Sequence, residues 1–192
     1  MKIAGLLLAA GAGHRMGTPK ALIRDPSGTP WVVRSSRLLV AAGCSPVVVV
    51  IGASAKQVAA ELTSEPVEVV EAPDWEEGMG ASLRAGLKAL HDVEAVVVVP
   101  VDVPGLTVDV LRRVSVQADR TALARAVYHG APGHPVVLGR DHWDGVIATS
   151  VGDQGARAYL KERPPVEVEC GDLSDGADVD TVEDLPEGHR FG

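Results

Sequence analysis

The chain has 192 residues, of which 46% are apolar; this excludes a disordered chain and suits one single-core domain over residues 1–192. Lysines and arginines number 18 against 26 aspartates and glutamates, so the formal charge is −8. An acidic surface repels phosphate backbones and only 3% of residues are aromatic, so we expect no nucleic-acid partner. Any nucleobase is expected to be recognised by backbone and small side chains rather than by stacking.

The cysteines and the apolar runs indicate the compartment. Cys44 and Cys170 are too far apart in sequence for a metal-ligand pair or a disulfide framework, and reduced thiols fit a cytoplasmic protein. No apolar run reaches the length of a membrane-spanning helix, so we expect no membrane partner. The apolar stretch at residues 2–10 is similar to a short signal peptide, but its single lysine and the charged loop after it argue against one.

Valine-rich runs alternate with helical patterns in the first half of the chain. Runs that are apolar on both faces predict buried strands at residues 2–8, 47–51, 67–70 and 95–99. Helices are predicted between and after them at residues 31–42, 55–62, 82–91 and 108–116. This alternation predicts an α/β fold, with a mostly parallel sheet covered by helices on both faces.

The second half is less regular. We predict strands at residues 122–127 and 135–138, a turn cluster at 129–133, and helices at 141–149 and 154–161. The last residues, 186–192, are polar and are predicted to form a loose tail.

A glycine-rich loop follows the first predicted strand, from Leu8 to Lys20. Backbone N–H groups in such a turn approach an anion closely, and Arg15 and Lys20 add two cations, so the composition indicates phosphate binding. The glycine spacing matches neither the dinucleotide fingerprint nor the P-loop, because the third glycine is one residue late and Gly17 is not followed by lysine. The alternative is a tight turn that binds nothing.

Two further segments can face the same ligand. Ser82 follows a glycine turn that leads into a predicted helix. The N-terminus of that helix can face an anion or a ribose oxygen. Ser82 can equally be an ordinary N-cap. Asp102 leaves the end of a buried strand, where ligands bind in open α/β sheets, and its carboxylate suits Mg²⁺. Its alternative role is that of a turn residue before Pro104.

The loop from Leu8 to Lys20 resembles the signature of nucleotidyltransferases, and the chain is most similar to the MobA-like NTP transferase family of molybdenum-cofactor cytidylyl- and guanylyltransferases. The resemblance implies a three-layer Rossmann-like nucleotidyltransferase fold, with Arg15 and Lys20 on the phosphates of a nucleoside triphosphate. The nucleotide-binding positions that it implies are Leu8, Ala9, Ala10, Gly11, Gly13, Arg15, Lys20, Gly80 and Ser82.

Two features resemble the cytidylyl-transferring branch of the family. The stretch around Ser82 matches its Gly-x-x-x-Ser-Leu-Arg-x-Gly-Leu pattern, and the methyl group of Ala10 leaves less room for a purine where the guanylyl branch tends to have glycine. The resemblance therefore implies CTP in preference to GTP, and CMP as the transferred group.

The resemblance also implies a Mg²⁺ site. Asp102 lies in an Asp-x-Pro-x-Leu pattern, and Asp180 lies in a closing stretch that departs from the family by having Val182 in place of proline. Asp102 and Asp180 are the implied metal ligands, with Arg15, Lys20 and Asp102 carrying catalysis. Whether Asp178 or Asp180 is the second ligand stays open, and the acidic stretch can instead cap a last helix.

Two motifs in the second half resemble the acceptor side of the family, Gly-His-Pro-Val around His134 and Gly-Asp-Gln-Gly-Ala-Arg ending at Arg157. The resemblance implies that residues 1–106 bind the triphosphate and residues 107–185 bind a phosphorylated acceptor, with molybdopterin favoured. Taken alone, His134 reads as a turn histidine and Arg157 as a solvated helix residue.

The implied reaction transfers a nucleoside monophosphate to the acceptor and releases pyrophosphate, with a molybdoenzyme or a chaperone as a further partner. Alternatives are guanylyl transfer from GTP and activation of a sugar or alcohol phosphate. A nucleotide-binding accessory protein without catalysis is an alternative of another class, and a dehydrogenase is disfavoured by the glycine spacing.

Overall fold

In a computed structural model that describes residues 2–192, seven strands form one sheet in the order β3-β2-β1-β4-β6-β5-β7. Strand β6 runs antiparallel to β4 and β5, and the other neighbouring pairs are parallel. The strands are β1 (Ile3–Ala9), β2 (Val47–Ile51), β3 (Glu68–Glu71), β4 (Ala95–Pro100), β5 (Leu123–Tyr128), β6 (Ala131–Gly139) and β7 (Val166–Glu169).

Helices cover both faces of the sheet. They are α1 (Trp31–Ala41), α2 (Ala55–Glu61), α3 (Met79–Ala89), α4 (Val108–Ser115), α5 (Trp143–Thr149) and α6 (Arg157–Glu162). One core contains α1, α2 and α4, represented by Leu39, Val58 and Leu111. The other contains α3, α5 and α6. Strands β2 and β4 are buried along their whole length between these layers, as their unbroken apolar runs predict. The predicted three-layer α/β fold is confirmed.

Four elements differ by three residues or more from the predictions made on the sequence. Helix α6 starts at Arg157 rather than at residue 154, because a short 3₁₀ helix at Gly152–Gln154 ends at Gly155, whose φ is positive. Strand β7 was not predicted, because it is a short edge strand whose residues are mostly exposed. Strand β6 starts at Ala131, inside the predicted turn cluster, since its proline and glycines do not prevent pairing with β5.

Helix α3 starts at Met79 rather than at residue 82, and Gly78 is its N-cap. Ser82 therefore lies inside the helix, and its predicted alternative as N-cap is wrong.

The C-terminal residues also differ from the predicted loose tail. The backbone of Arg190 exchanges two hydrogen bonds with that of Arg24, at 2.8 and 2.9 Å. The Trp31 indole donates to Nδ1 of His189 over 2.9 Å. Residues 186–192 are thus docked beside the start of α1.

Two predicted absences can be compared with the structure. Within residues 2–192, no helix combines the length and the apolar character that crossing a membrane requires. Cys44 and Cys170 are both buried free thiols.

Candidate active site

The predicted ligand-binding segments meet at one edge of the sheet, where β1 and β4 end side by side. Leu8 of β1 pairs with Pro100 of β4, so the glycine loop and Asp102 leave the sheet at neighbouring positions. The strand order reverses direction between these two strands, and this is where open α/β sheets bind ligands. A cavity of about 710 Å³ opens there.

The glycine loop has a fixed shape. The φ angle of Gly13 is +63°, and a Cβ at this position would lie 2.0 Å from the carbonyl oxygen of Thr18. The carbonyl of Gly13 accepts a hydrogen bond from the amide of Met16 over 2.8 Å. The loop therefore needs glycine at this position, and it brings Lys20 to the floor of the cavity while Arg15 is 68% exposed.

Lys20 joins two carboxylates at the centre of the cavity. Its Nζ donates to Oδ2 of Asp102 and to Oδ1 of Asp180, each over 2.8 Å. Burial lowers the pKa of Lys20, but the hydrogen bonds to the two carboxylates outweigh it, so this pKa lies above its ordinary value. The hydrogen bond from Lys20 in turn lowers the pKa of Asp180, with a smaller contribution from Arg15, 3.3 Å away. Lys20 and Asp180 are therefore both charged at neutral pH.

A C-terminal strap, residues 178–185, brings Asp180 to the site. The amide of Val179 donates to the carbonyl of Asp102 over 2.9 Å, which ties the strap to the end of β4. Beyond Asp180, the Thr181 hydroxyl donates to the Asp184 carboxylate over 2.7 Å and starts a short 3₁₀ helix at Val182–Asp184. The strap is therefore held on both sides of Asp180.

The two aspartates suit a divalent cation. Their carboxylates converge on one small volume, since both contact the same ammonium group. Among residues 2–192, no three histidine, cysteine, aspartate or glutamate side chains are grouped as a metal site. Mg²⁺ is commonly held by one or two carboxylates with phosphate oxygens and waters completing its coordination, and the donor set fits that pattern.

Most of the predicted site residues line this cavity. Those that do are Leu8, Ala10, Gly11, Gly13, Arg15, Lys20, Ser82, Asp102, Arg157 and Asp180. Ala9, Gly80, His134 and Asp178 are not among its lining residues. Ala9 is buried in β1. Gly80 faces the backbone of Ser150 and Gly152, where a Cβ would come within 2.9 Å, so it brings α3 close to the second half of the chain.

His134 is half-buried and is not among the residues that line the cavity. The Tyr128 hydroxyl donates to the carbonyl of His134 over 2.6 Å and holds that part of β6 in place. Burial lowers the pKa of His134, while the charges of Asp102 and Asp178 act in the opposite direction. The imidazole is therefore mainly neutral at neutral pH and is close enough to these acids to be influenced by them.

Nine lining residues were not among the predicted site residues. They are Ala12, His14, Trp75, Glu76, Gly78, Met79, Pro100, Val101 and Asp153. Trp75, Glu76 and Met79 immediately precede or begin α3, and the glycines around them indicate an irregular turn in the sequence. Asp153 lies in the motif that ends at Arg157, so its position could have been included with that motif. Trp75 adds an aromatic ring to the cavity wall. The expectation that a nucleobase is recognised by backbone and small side chains stays a prediction.

Residues 5–168 match the MobA-like NTP transferase domain. The chain belongs to the MobA-like NTP transferase family. The family's enzymes bind a nucleoside triphosphate and a phosphorylated acceptor such as molybdopterin, and membership makes this chain a nucleotidyltransferase.

Two curated relatives illustrate the range of this family. The chain is 38% identical over 193 residues to nicotine blue oxidoreductase of Paenarthrobacter nicotinovorans, covering 95% of this chain and 94% of that protein. It is 31% identical over 157 residues to a molybdenum cofactor guanylyltransferase of Rhodobacter capsulatus, covering 77% of this chain and 68% of that protein.

Solved structures agree with the fold of this MobA-like chain. Rv0371c of Mycobacterium tuberculosis H37Rv superposes with a TM-score of 0.82 at 27% identity, covering 96% of this chain and 95% of that one. The same protein was solved as a complex with manganese, and that structure superposes with a TM-score of 0.79 at 26% identity, covering 96% of each chain. The Rossmann-like nucleotidyltransferase fold is thus confirmed.

Proposed function

We propose that this protein transfers CMP from CTP to a molybdopterin-type phosphorylated acceptor in a Mg²⁺-dependent reaction that releases pyrophosphate. The observation that carries the proposal is the contact of Lys20 with Asp102 and Asp180 at the mouth of the glycine loop. This cluster combines a cation for phosphates with two carboxylates for a metal, in a family whose members transfer nucleotides.

The bond changes require little from the protein beyond position and charge. An oxygen of the acceptor phosphate attacks the α-phosphorus, a new P–O bond forms, and the bond to the β-phosphate oxygen breaks as pyrophosphate leaves. The acceptor phosphate is already ionised near neutral pH, so no general base is needed. Catalysis then rests on in-line positioning and on stabilising the developing charge.

Lys20 and Arg15 supply the protein's positive charge to this reaction. An ammonium group has three donors, and Lys20 uses two of them on Asp102 and Asp180, which leaves one for a phosphate oxygen. Arg15 is exposed at the cavity rim, where its planar fork can bind a second phosphate. Mg²⁺ held by Asp102 and Asp180 would neutralise phosphate charge and orient the reacting groups.

The preference for CTP rests on Ala10 and Ser82, which both line the cavity. The Ala10 methyl narrows the wall beside the base, which favours a pyrimidine over a purine. Ser82 is 5% exposed and offers a hydroxyl that can donate to or accept from the edge of the base.

Acceptor binding is assigned to the second half of the chain, residues 107–185, and triphosphate binding to residues 1–106. Arg157 lines the cavity, and its guanidinium suits an acceptor phosphate. His134 is assigned to the same acceptor side, because it is close enough to Arg157 for that charge to influence its pKa. A cytoplasmic location and delivery of the product to a molybdoenzyme or a chaperone complete the proposal.

Pyrophosphate release tests the proposal. The purified protein is incubated with Mg²⁺, each of the four nucleoside triphosphates, and either molybdopterin or a panel of sugar and alcohol phosphates. We expect release with CTP and molybdopterin above all other combinations. Faster release with GTP would make it a guanylyltransferase, and triphosphate binding without release from any combination would make it an accessory protein.

A second candidate function is the oxidation or reduction of nicotine blue, the activity in the name of the relative from Paenarthrobacter nicotinovorans. The observation that favours it is 38% identity over 95% of the chain. The glycine spacing, which does not fit the dinucleotide fingerprint, argues against it. Oxidation of NADH or NADPH by this protein in the presence of nicotine blue, followed by absorbance, separates the two functions.

A further inference from the structure

Trp75 forms part of the wall of the cavity that contains Lys20, Asp102 and Asp180. We infer that its indole ring is the surface on which the nucleobase of the triphosphate stacks, an inference that rests on the proposed nucleotidyl transfer. Trp75 would then determine how tightly nucleotides bind, whichever base the pocket prefers.

The other aromatic residues cannot provide this surface. The chain has three tryptophans, two tyrosines and one phenylalanine, all within the part that the structure describes. Four of them have at most 6% of their surface exposed: Trp31, Trp143, Tyr128 and Tyr159. Phe191 is 45% exposed but lies in the C-terminal tail and does not line the cavity. Trp75 is half-buried: it packs against the core and also lines the cavity.

The ring is held against the backbone that follows β2. A Cβ on Gly52 would lie 2.5 Å from Cγ and 2.8 Å from Cδ1 of Trp75, so the indole occupies the space that a side chain would fill. The next residue, Ala53, donates its amide to the carbonyl of Ala10 over 2.9 Å. The backbone of Gly52 and Ala53 therefore contacts both the tryptophan ring and the glycine loop. This shared contact positions the ring before a ligand binds.

Trp75 takes no part in the ion-paired cluster of the cavity. Four of the charged lining residues form that cluster, with Lys20 at its centre: Arg15, Lys20, Asp102 and Asp180. In the chain, Trp75 lies just before the helix that carries Met79 and Ser82. The phosphates go to the charged cluster, which leaves the apolar ring and methionine for the base.

An indole platform supplies affinity rather than selectivity. Each base has a π face, so stacking tolerates any of them, whereas hydrogen bonds to base edges discriminate. Loss of a stacking partner costs about 1–3 kcal/mol per base, or roughly 5- to 150-fold in the dissociation constant. The choice between CTP and GTP is therefore left to Ala10 and Ser82.

The test compares a nucleotide with a ligand that has no base. Isothermal titration calorimetry measures binding of CTP and of inorganic tripolyphosphate, each with Mg²⁺, to the wild-type protein, Trp75→Ala and Trp75→Phe. We expect Trp75→Ala to weaken CTP binding about tenfold and to leave tripolyphosphate binding unchanged. Trp75→Phe retains an aromatic face and should keep most of the affinity.

Trp143→Phe is the matched control, because Trp143 is buried and does not line the cavity. CTP should quench the tryptophan fluorescence of the wild type and of Trp143→Phe, but not that of Trp75→Phe. Equal CTP affinity of the wild type and Trp75→Ala would overturn the inference, as would equal losses for CTP and tripolyphosphate. Absence of binding of any nucleoside triphosphate to the wild type would instead overturn the proposed function, and the inference with it.

Discussion

Three charged residues from distant parts of the chain carry the account at the scale of single residues. Lys20 is 82 residues from Asp102 and 160 residues from Asp180, yet its ammonium bonds to both. Each was predictable as part of a motif, because a glycine loop, a carboxylate at a strand end and an acidic closing stretch each have a recognisable pattern. The contact between the three side chains was not predictable. It depends on β1 and β4 being neighbours in the sheet, and on residues 178–185 packing against the end of β4.

A substitution at Asp180 tests directly whether this carboxylate takes part in catalysis. We expect Asp180→Asn to lower kcat about 100-fold or more, since removing one preorganised electrostatic group from an active site can cost about two to three orders of magnitude. Pyrophosphate release under saturating substrates measures this. The chain should remain folded, because Asp180 is 40% exposed and its removal creates no buried cavity.

Glu183→Gln is the control for this substitution. It removes one negative charge from the same strap at an exposed position. Its kcat should stay within about twofold of the wild type, as for most surface changes. Similar activity of Asp180→Asn and Glu183→Gln would remove Asp180 from the mechanism and return Asp178 as the candidate.

Arg157 tests the acceptor side of the cavity. We expect Arg157→Gln to raise the KM for the phosphorylated acceptor about tenfold, with little change in the KM for CTP, because the lost charge faces the acceptor phosphate. Lys161→Gln is the matched control, one turn along the same helix and outside the cavity wall. Steady-state kinetics, with each substrate varied in turn, measures the two KM values. An equal rise in the KM for CTP would mean that Arg157 contacts the triphosphate instead.

Trp75 marks the limit of sequence reasoning about single residues. It stands in a short 3₁₀ helix, Trp75–Glu77, which has no periodicity long enough to show which side faces the ligand. Gly52, which makes room for the ring, reads in the sequence as an ordinary end of a strand. The packing of the Trp75 ring against Gly52 becomes visible only in the structure, where the end of β2 and the segment before α3 lie side by side.

At the scale of elements, the strands and helices in the first half of the chain were predictable from the sequence. Those in the second half were only partly predictable. Strand β2 matches its prediction at both ends, and α1, α2 and α4 match to within one residue, because buried parallel strands and amphipathic helices have strong patterns. Strand β7 reads Val-Glu-Val-Glu at an exposed sheet edge, which a short polar loop resembles. Tertiary packing, rather than local pattern, defines it through its pairing with β5.

The docked C-terminal tail gives a pH prediction. Nδ1 of His189 accepts from Trp31, which requires the neutral form of the ring at that nitrogen, and burial lowers the pKa of His189. Asp25 opposes this shift and Arg34 adds to it. The stabilisation is therefore complete above the ordinary histidine pKa near 6.5 and is lost as the pH falls below it toward the lowered value.

Hydrogen exchange checks this behaviour. After correction for intrinsic rates, protection of the Arg190 amide should be high at neutral pH and should decrease below about pH 6.5. His189→Leu cannot accept from the indole and should show low protection at both pH values. Protection that is independent of pH in the wild type would mean that the Arg24 backbone pairing alone holds the tail.

At the scale of the whole molecule, the acidic charge and the phosphate ligands fit together. Three cationic and four acidic side chains line the cavity, a net charge of −1: Arg15, Lys20, Arg157, Glu76, Asp102, Asp153 and Asp180. A triphosphate is strongly anionic, so the protein alone does not balance it. A divalent cation on the aspartates would supply the difference.

Metal removal should therefore weaken nucleotide binding, and not turnover alone. We expect EDTA to weaken CTP binding at least about tenfold, because unscreened repulsion between the carboxylates and the triphosphate then remains. Titration calorimetry with and without Mg²⁺ measures the effect. In the double variant Asp102→Asn with Asp180→Asn, the dependence on Mg²⁺ should be much smaller. If EDTA left the CTP affinity of the wild type unchanged, this result would contradict the proposal that Asp102 and Asp180 bind a metal ion.

The most direct measurement is the mass of the acceptor after reaction with CTP and Mg²⁺. The account predicts that molybdopterin gains the mass of one CMP, with one pyrophosphate released for each adduct formed. The adduct should be absent with EDTA and strongly reduced in Asp180→Asn. An acceptor of unchanged mass with all four triphosphates, together with oxidation of NADPH by nicotine blue, would contradict nucleotidyl transfer and establish the oxidoreductase alternative.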